Sequence, residues 1–211
     1  MKNKKIKAFT MAEVLLVLGI IGIVAAITLP NLKDSTDSQV NVSKAKKVYA
    51  DLTTAFERAN NKYGNIYNWS TSDSSDGTQL FNRLVAFLDV KKTCEASGAA
   101  NECWSKAESD ASQAILGDGS SIMIKKTDNT VIYLDVNGSE NGSATVGVDV
   151  FNVYINKKLL GSELLPYKTI PATNDAPGSE NYLQWVLMYG NEDYTECGDK
   201  LNFYTSNTTC N

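Results

Sequence analysis

The sequence predicts an α+β protein in which a long N-terminal helix, half suited to a membrane and half amphipathic, packs on a small antiparallel sheet. Three observations carry this prediction. Residues 14–29, VLLVLGIIGIVAAITL, contain no charge. Residues 45–63 repeat apolar side chains at helical spacing. From Ser121 onward the chain turns to short runs rich in Val, Ile and Tyr, separated by Asp, Asn and Gly.

The first element begins behind a basic leader, MKNKKIKA, with Lys2, Lys4, Lys5 and Lys7 and no acid. Phe9 to Leu32 is 24 residues, which as a helix spans about 36 Å and exceeds the roughly 30 Å of a hydrocarbon core. Lysines before the segment and none inside it keep residues 2–7 on the cytoplasmic side and send the rest outward. Length and apolarity alone permit three fates: a plain signal anchor, a secretory signal cut after Ala26 (Val24 and Ala26 suit signal peptidase), or a helix kept after a cut near its start. Glu13 weighs for the third. A carboxylate costs about 2.5–3.5 kcal/mol at the centre of a bilayer and less near its edge, so its presence points to a partner. Gly19, Gly22 and Pro30 are places where this helix can bend, Pro30 because it lacks a backbone donor, although Gly and Pro are also common in membrane helices.

The second half of the helix follows a polar stretch after Pro30. Ala45, Val48, Tyr49, Leu52, Ala55, Phe56, Ala59 and Tyr63 form one apolar face, with charged residues between them. Gly64 is its stop. Residues 65–77 read as a loop, and Leu80, Phe81, Leu84, Val85, Phe87 and Leu88 as a second short helix. Residues 91–112 are polar. SIMIKKTDNTVIYLDV then reads as two strands around a turn at Asp128-Asn129, and VGVDVFNVYINKK as a third, with its alternation slipping near Phe151. Gly117-Asp118-Gly119 is a turn before a strand and not a phosphate loop, for want of a Lys and of a strand-to-helix setting. Trp69, Trp104 and Trp185 are assigned to packing.

The four cysteines, Cys94, Cys103, Cys197 and Cys210, match no metal or redox spacing. They allow three connectivities or four free thiols. The local pairs 94–103 and 197–210 are the simplest, each contributing roughly 2–3 kcal/mol, and disulfides require an oxidising compartment. The chain has no histidine, which removes Ser-His-Asp and Cys-His catalysis and every imidazole zinc site; no enzyme is expected. Without the leader, 16 basic residues face 24 acidic ones, and an acidic body argues against nucleic acid as a partner. Asn-x-Ser/Thr sequons occur at Asn41, Asn68, Asn137, Asn141 and Asn207.

The stretch KAFTMAEVLLVLGIIGIVAAITLPNL resembles the N-terminal signal of type IV pilins and type II secretion pseudopilins. In that family a small residue, usually Gly, precedes the cut, followed by Phe, Thr, two residues, Glu and an apolar helix. Here Ala8 replaces the Gly, and Phe9, Thr10 and Glu13 match. The resemblance implies cleavage between Ala8 and Phe9 by a prepilin peptidase on the cytoplasmic face, and N-methylation of Phe9. It further implies assembly through Phe9 and Glu13, the carboxylate of one subunit meeting the terminal amine of a neighbour. It supplies the boundaries of a pilin-like α+β chain: a leader at 1–8, a transmembrane assembly helix at 9–32, an amphipathic helix at 33–63, and an extracytoplasmic head at 64–211 with a C-terminal disulfide loop. The implied partners are membrane lipid, inner-membrane assembly machinery, and copies of the chain or related pilins. The implied location is a single-pass inner-membrane protein that joins a cell-surface or periplasmic filament. If the bacterial source implied by the leader holds, the eukaryotic glycosylation reading of the sequons lapses.

In the head the resemblance is looser and rests on DVNG (Asp135–Gly138) and GVDVF (Gly147–Phe151). Asp135, Asn137, Ser139 and Asp149 can supply oxygens to calcium, as some pseudopilin heads do. An EF-hand does not fit, because Glu140 stands where its Gly belongs. The competing assignment is a turn, which Asn-Gly and Asp favour.

Overall fold

The computed structural model describes residues 10–69, 77–94, 103–105, 108, 110–126, 130–139, 144–158, 161–172 and 175–210, with residues 29–35 described for their backbone only. The chain divides into two compact units, Met1–Ser38 and Gln39–Asn211. Helix α1, Met11–Tyr63, contributes to both.

Within the first unit α1 is long and apolar enough to cross a membrane. Met11–Thr28 has a mean hydropathy of 2.5, and none of that stretch is buried. Its Leu, Ile and Val side chains point outward on all sides; Leu15, Ile20 and Ile23 are among those exposed. A Cβ added at Gly19 or Gly22 would meet nothing within 4 Å among the described residues beyond the surrounding helix backbone, so neither glycine answers to packing against another described element. The sequence allowed a break near Pro30. Instead the helix continues through Gly19, Gly22 and Pro30 without interruption. A proline removes one intrahelical donor, and its fixed φ is helical, so neighbouring bonds can carry the turn. Two residues earlier, the Thr28 hydroxyl donates to the Val24 carbonyl at 3.0 Å.

Within the second unit the same helix is one-sided. Val42, Ala45, Val48, Leu52, Ala55, Phe56 and Ala59 are buried, three or four residues apart for the most part. Tyr63 is the last helical residue, and Gly64, at φ 83°, ends the helix in the left-handed region. The Trp69 indole donates to the Gly64 carbonyl at 2.6 Å and fixes the exit. Helix α2 is Gly77–Val85, shorter than the sequence suggested; Phe87 and Leu88 fall in the turn that follows. Gly77 is required at its start, since a Cβ there would run into the Lys125 carbonyl oxygen.

The sheet has six strands, where three were expected: β1 Val90–Cys94, β2 Ala111–Leu116, β3 Ser121–Lys125, β4 Val131–Asp135, β5 Val150–Asn156 and β6 Glu163–Leu165. They pair in sequence order and all antiparallel. Alternation sorts the side chains. Ile122, Ile124, Ile132, Leu134, Phe151, Val153 and Ile155 join the helical face of α1 in the main core. On the opposite face Trp104, Ala111, Met123 and Val150 form a second, smaller cluster. The third expected strand starts late. Residues 147–149 are a turn, with Gly147 at φ 87°, and β5 begins at Val150, which removes the slip in alternation near Phe151. The expected turn at Asp128-Asn129 lies outside the described residues.

The described cysteines form two disulfides, Cys94–Cys103 and Cys197–Cys210, with Cα atoms 6.1 and 5.8 Å apart. The first joins the end of β1 to the residue before Trp104. The second closes the C-terminal segment, which also contains α3 (Tyr182–Tyr189) and α4 (Tyr194–Cys197). Trp69, Trp104 and Trp185 are all buried.

Candidate functional site

Two places, the first turn of α1 and the loop between β4 and β5, carry candidate site residues among those described. At the first, Thr10 immediately precedes the helix, and Glu13 is its third residue. The Thr10 backbone N–H donates to Glu13 Oε2 at 2.8 Å and the Thr10 hydroxyl donates to the same oxygen at 2.9 Å. The Glu13 N–H in turn donates to Thr10 Oγ1 at 3.3 Å. This is a capping box, in which N-cap and third residue satisfy each other's free donors. The signal for it, Thr-x-x-Glu ahead of an apolar run, stands in the sequence at Thr10-Met11-Ala12-Glu13. It is hidden there by a second explanation for Glu13, the intermolecular partner. The carboxylate therefore has an intramolecular role whatever it meets outside the chain. Ala8 and Phe9, the residues of the expected cut, methylation and pairing, lie outside the described residues.

At the second place, β4 ends in Asp135, which is wholly buried. The Gly138 N–H donates to Asp135 Oδ1 at 2.9 Å. Gly138 has φ 80°, and a Cβ there would run into the Gly119 carbonyl oxygen, so the DVNG turn admits only glycine at this position. Asn137 Nδ2 donates to Asp149 Oδ2 at 2.8 Å, and the Thr145 N–H donates to Asp149 Oδ1. The Val136 N–H reaches the Asp149 carbonyl at 2.8 Å. Asp149 thus closes the loop from both ends with all of its oxygens. Burial pushes the Asp135 carboxyl up to about 6; the backbone N–H of Gly138 opposes that shift, the negative charge of Asp149 adds to it, and the Asn137 N–H and Lys44 oppose it. Asp135 Oδ2, Ser139 Oγ and Ser121 Oγ, the last on the residue paired with Asp135 across the strands, are buried with no hydrogen-bond partner among the described residues.

The four residues considered for calcium are brought to one loop, where protein donors already engage three of their carboxylate oxygens. Calcium takes six to eight oxygens. Both Asp149 carboxylate oxygens are engaged by protein donors, the Asn137 amide nitrogen is turned toward one of them, and one Asp135 oxygen holds a backbone N–H. Besides the Asn137 amide oxygen, two side-chain oxygens of the set, Asp135 Oδ2 and Ser139 Oγ, accept no hydrogen bond among the described residues. The bonds among Asp135, Asn137, Gly138 and Asp149 are those of a hydrogen-bonded turn, the competing assignment. Among the described residues no group of three or more His, Cys, Asp and Glu side chains is placed to hold a metal.

Set against known proteins, the chain matches no family model, no curated protein and no solved structure.

Proposed function

We propose that this chain is a structural subunit of a membrane-assembled filament of the type IV pilus or type II secretion pseudopilus kind, with a pilin-like head. The observation that supports it best is an apolar helix, Met11–Thr28, with no buried residue and a single carboxylate, Glu13, in its first turn. Side chains exposed all round a helix need lipid or other helices to cover them. In this reading a prepilin peptidase cuts between Ala8 and Phe9, and the new amine is methylated. The helix waits in the inner membrane, with the head outside the cytoplasm, until assembly machinery draws it into a filament. There Glu13 meets the Phe9 amine of a neighbouring subunit. A buried charge left alone is strongly penalised, and pairing relieves that while fixing register. The two disulfides agree with an oxidising compartment for the head. The role is mechanical and not enzymatic, and it needs no cofactor.

The capping box favours a second reading, a secreted or membrane-anchored binding protein with an ordinary signal sequence. With Thr10 as its intramolecular partner, Glu13 is accounted for without any neighbour. Mass spectrometry of the mature N-terminus separates the two. A methylated Phe9 is expected; a chain beginning at Ile27 would sink the filament reading.

A further inference from the structure

We propose that the outer face of the sheet carries a binding cleft for a neutral saccharide, built by Tyr133, Asn152, Tyr154 and Lys168. The site is independent of the filament reading. Strand alternation turns Ile132, Leu134, Val153 and Ile155 into the main core, so Val131 and Tyr133 on β4 and Asn152 and Tyr154 on β5 project from the other face. The register sets Tyr133 opposite Asn152 and Val131 opposite Tyr154, which makes the four side chains close neighbours. All four are half-buried. With Thr130 and Lys168 they line a cleft of about 390 Å³, within the roughly 300–1,000 Å³ of small-ligand sites. Its walls are held from within the chain. Tyr133 packs against the cluster of Trp104, Ala111, Met123 and Val150, and the Lys125 ammonium lies 5.7 Å from the centre of its ring, a cation–π contact. Lys168 is tied to Glu180 twice, by its N–H to the carbonyl at 3.1 Å and by Nζ to Oε1 at 2.7 Å.

Three features select the ligand. Tyrosine rings offer an apolar body with a polar tip, the counterpart of a sugar ring, whose C–H face is apolar and whose rim is hydroxyl. Next, Asn152 Nδ2 donates to the Tyr154 hydroxyl at 3.4 Å. Among the described residues the Tyr154 hydroxyl hydrogen then has no acceptor, and Asn152 Oδ1 has no donor. A donor and an acceptor stand side by side in the cleft, and one sugar hydroxyl can answer both. Last, the cation of the lining, Lys168, is already neutralised by Glu180. A phosphate or carboxylate would have to compete with that pair, whereas an uncharged ligand takes the remaining ammonium hydrogens without breaking it.

The test uses the full chain in phospholipid nanodiscs free of glycolipid. Chitotriose, cellotriose, maltotriose and trigalacturonate are screened by saturation-transfer NMR, and those that bind are titrated calorimetrically. A neutral trisaccharide is expected to bind. Tyr154→Ala should then weaken it about ten-fold or more, through loss of the ring, and Tyr154→Phe about three-fold, through loss of one hydrogen bond. Asn152→Ala should weaken it about five-fold. Tyr67→Ala, at a tyrosine 56% exposed elsewhere on the head, should leave binding unchanged. Thermal unfolding checks each variant, and if Tyr154→Ala does not fold, Tyr154→Phe and Asn152→Ala decide. Binding of trigalacturonate alone, binding of no trisaccharide, or parental affinity in the folded Tyr154 and Asn152 variants overturns the proposal.

Discussion

Helix α1 treats its apolar side chains in two opposite ways. Between Met11 and Thr28 they are exposed on every side, and none of the described residues covers them. Between Val42 and Ala59 they form one stripe, and a six-stranded sheet covers it. The difference lies in what each segment asks of its surroundings. The second is completed by the protein itself, through β3, β4 and β5. The first is complete only in an apolar medium or against other helices. Stability and location are therefore separable properties of a single helix, and substitutions in its two halves should have effects that do not overlap.

The largest effect is expected in the head. Phe56→Ala removes a side chain that is 1% exposed at the centre of the main core, and such truncations cost about 3–5 kcal/mol. Thermal or denaturant unfolding of the chain in detergent should move accordingly, with membrane integration unchanged. The reciprocal change, Ile20→Asp, places a carboxylate in the middle of the apolar stretch at about 2.5–3.5 kcal/mol of insertion free energy. Carbonate extraction should release more of this variant from membranes, while its head unfolds as before. If Ile20→Asp also lowered the stability of the head, the two halves would not be independent.

The smallest expected effect is at Asp135. Its folded-state value near 6 lies above the ordinary 3.8, so the folded protein binds this proton more tightly than the unfolded chain does. The resulting stabilisation is full below about pH 3.8 and is lost as the pH rises through about 6. From a shift of that size it amounts to about 2–3 kcal/mol as an upper bound. Unfolding free energies measured from pH 4 to 7 should fall with this slope superposed on other titrations, and Asp135→Asn should remove the slope and be the more stable form at pH 7. A slope unchanged by the substitution would show that another group titrates.

How much of this was legible depended on whether a residue's partner was close in sequence. The apolar face of residues 45–59 can be read because 3.6-residue periodicity is local. The hairpin strands around Ile122, Ile124, Ile132 and Leu134 can be read because alternation is local too. β1 and β2 cannot. Lys91, Lys92 and Thr93 are exposed on an edge strand, where charge guards against pairing with other chains, and Ser112 and Gln113 are polar residues buried only because the sheet closes round them. At the candidate sites the same rule holds. The bond from Asn137 to Asp149 spans 12 residues and turns two prospective ligands into each other's partners, something no spacing rule announces. The capping box is local and readable, and shows that one residue can satisfy two explanations at once.

The order of the sheet has a further consequence, for how the head is made. Because β1 to β6 are neighbours in space in the order in which they are synthesised, every strand but the first finds its pairing partner already present when the chain is delivered N-terminus first. No strand waits for a distant one, and such local pairing favours fast folding. The long-range closures tie helix to loop and strand: Asn41 to the Val148 carbonyl, 107 residues away, and the Tyr49 hydroxyl to the Leu164 carbonyl, 115 away. The sheet can therefore pair in reading order, against a helix, α1, that precedes every strand in the chain.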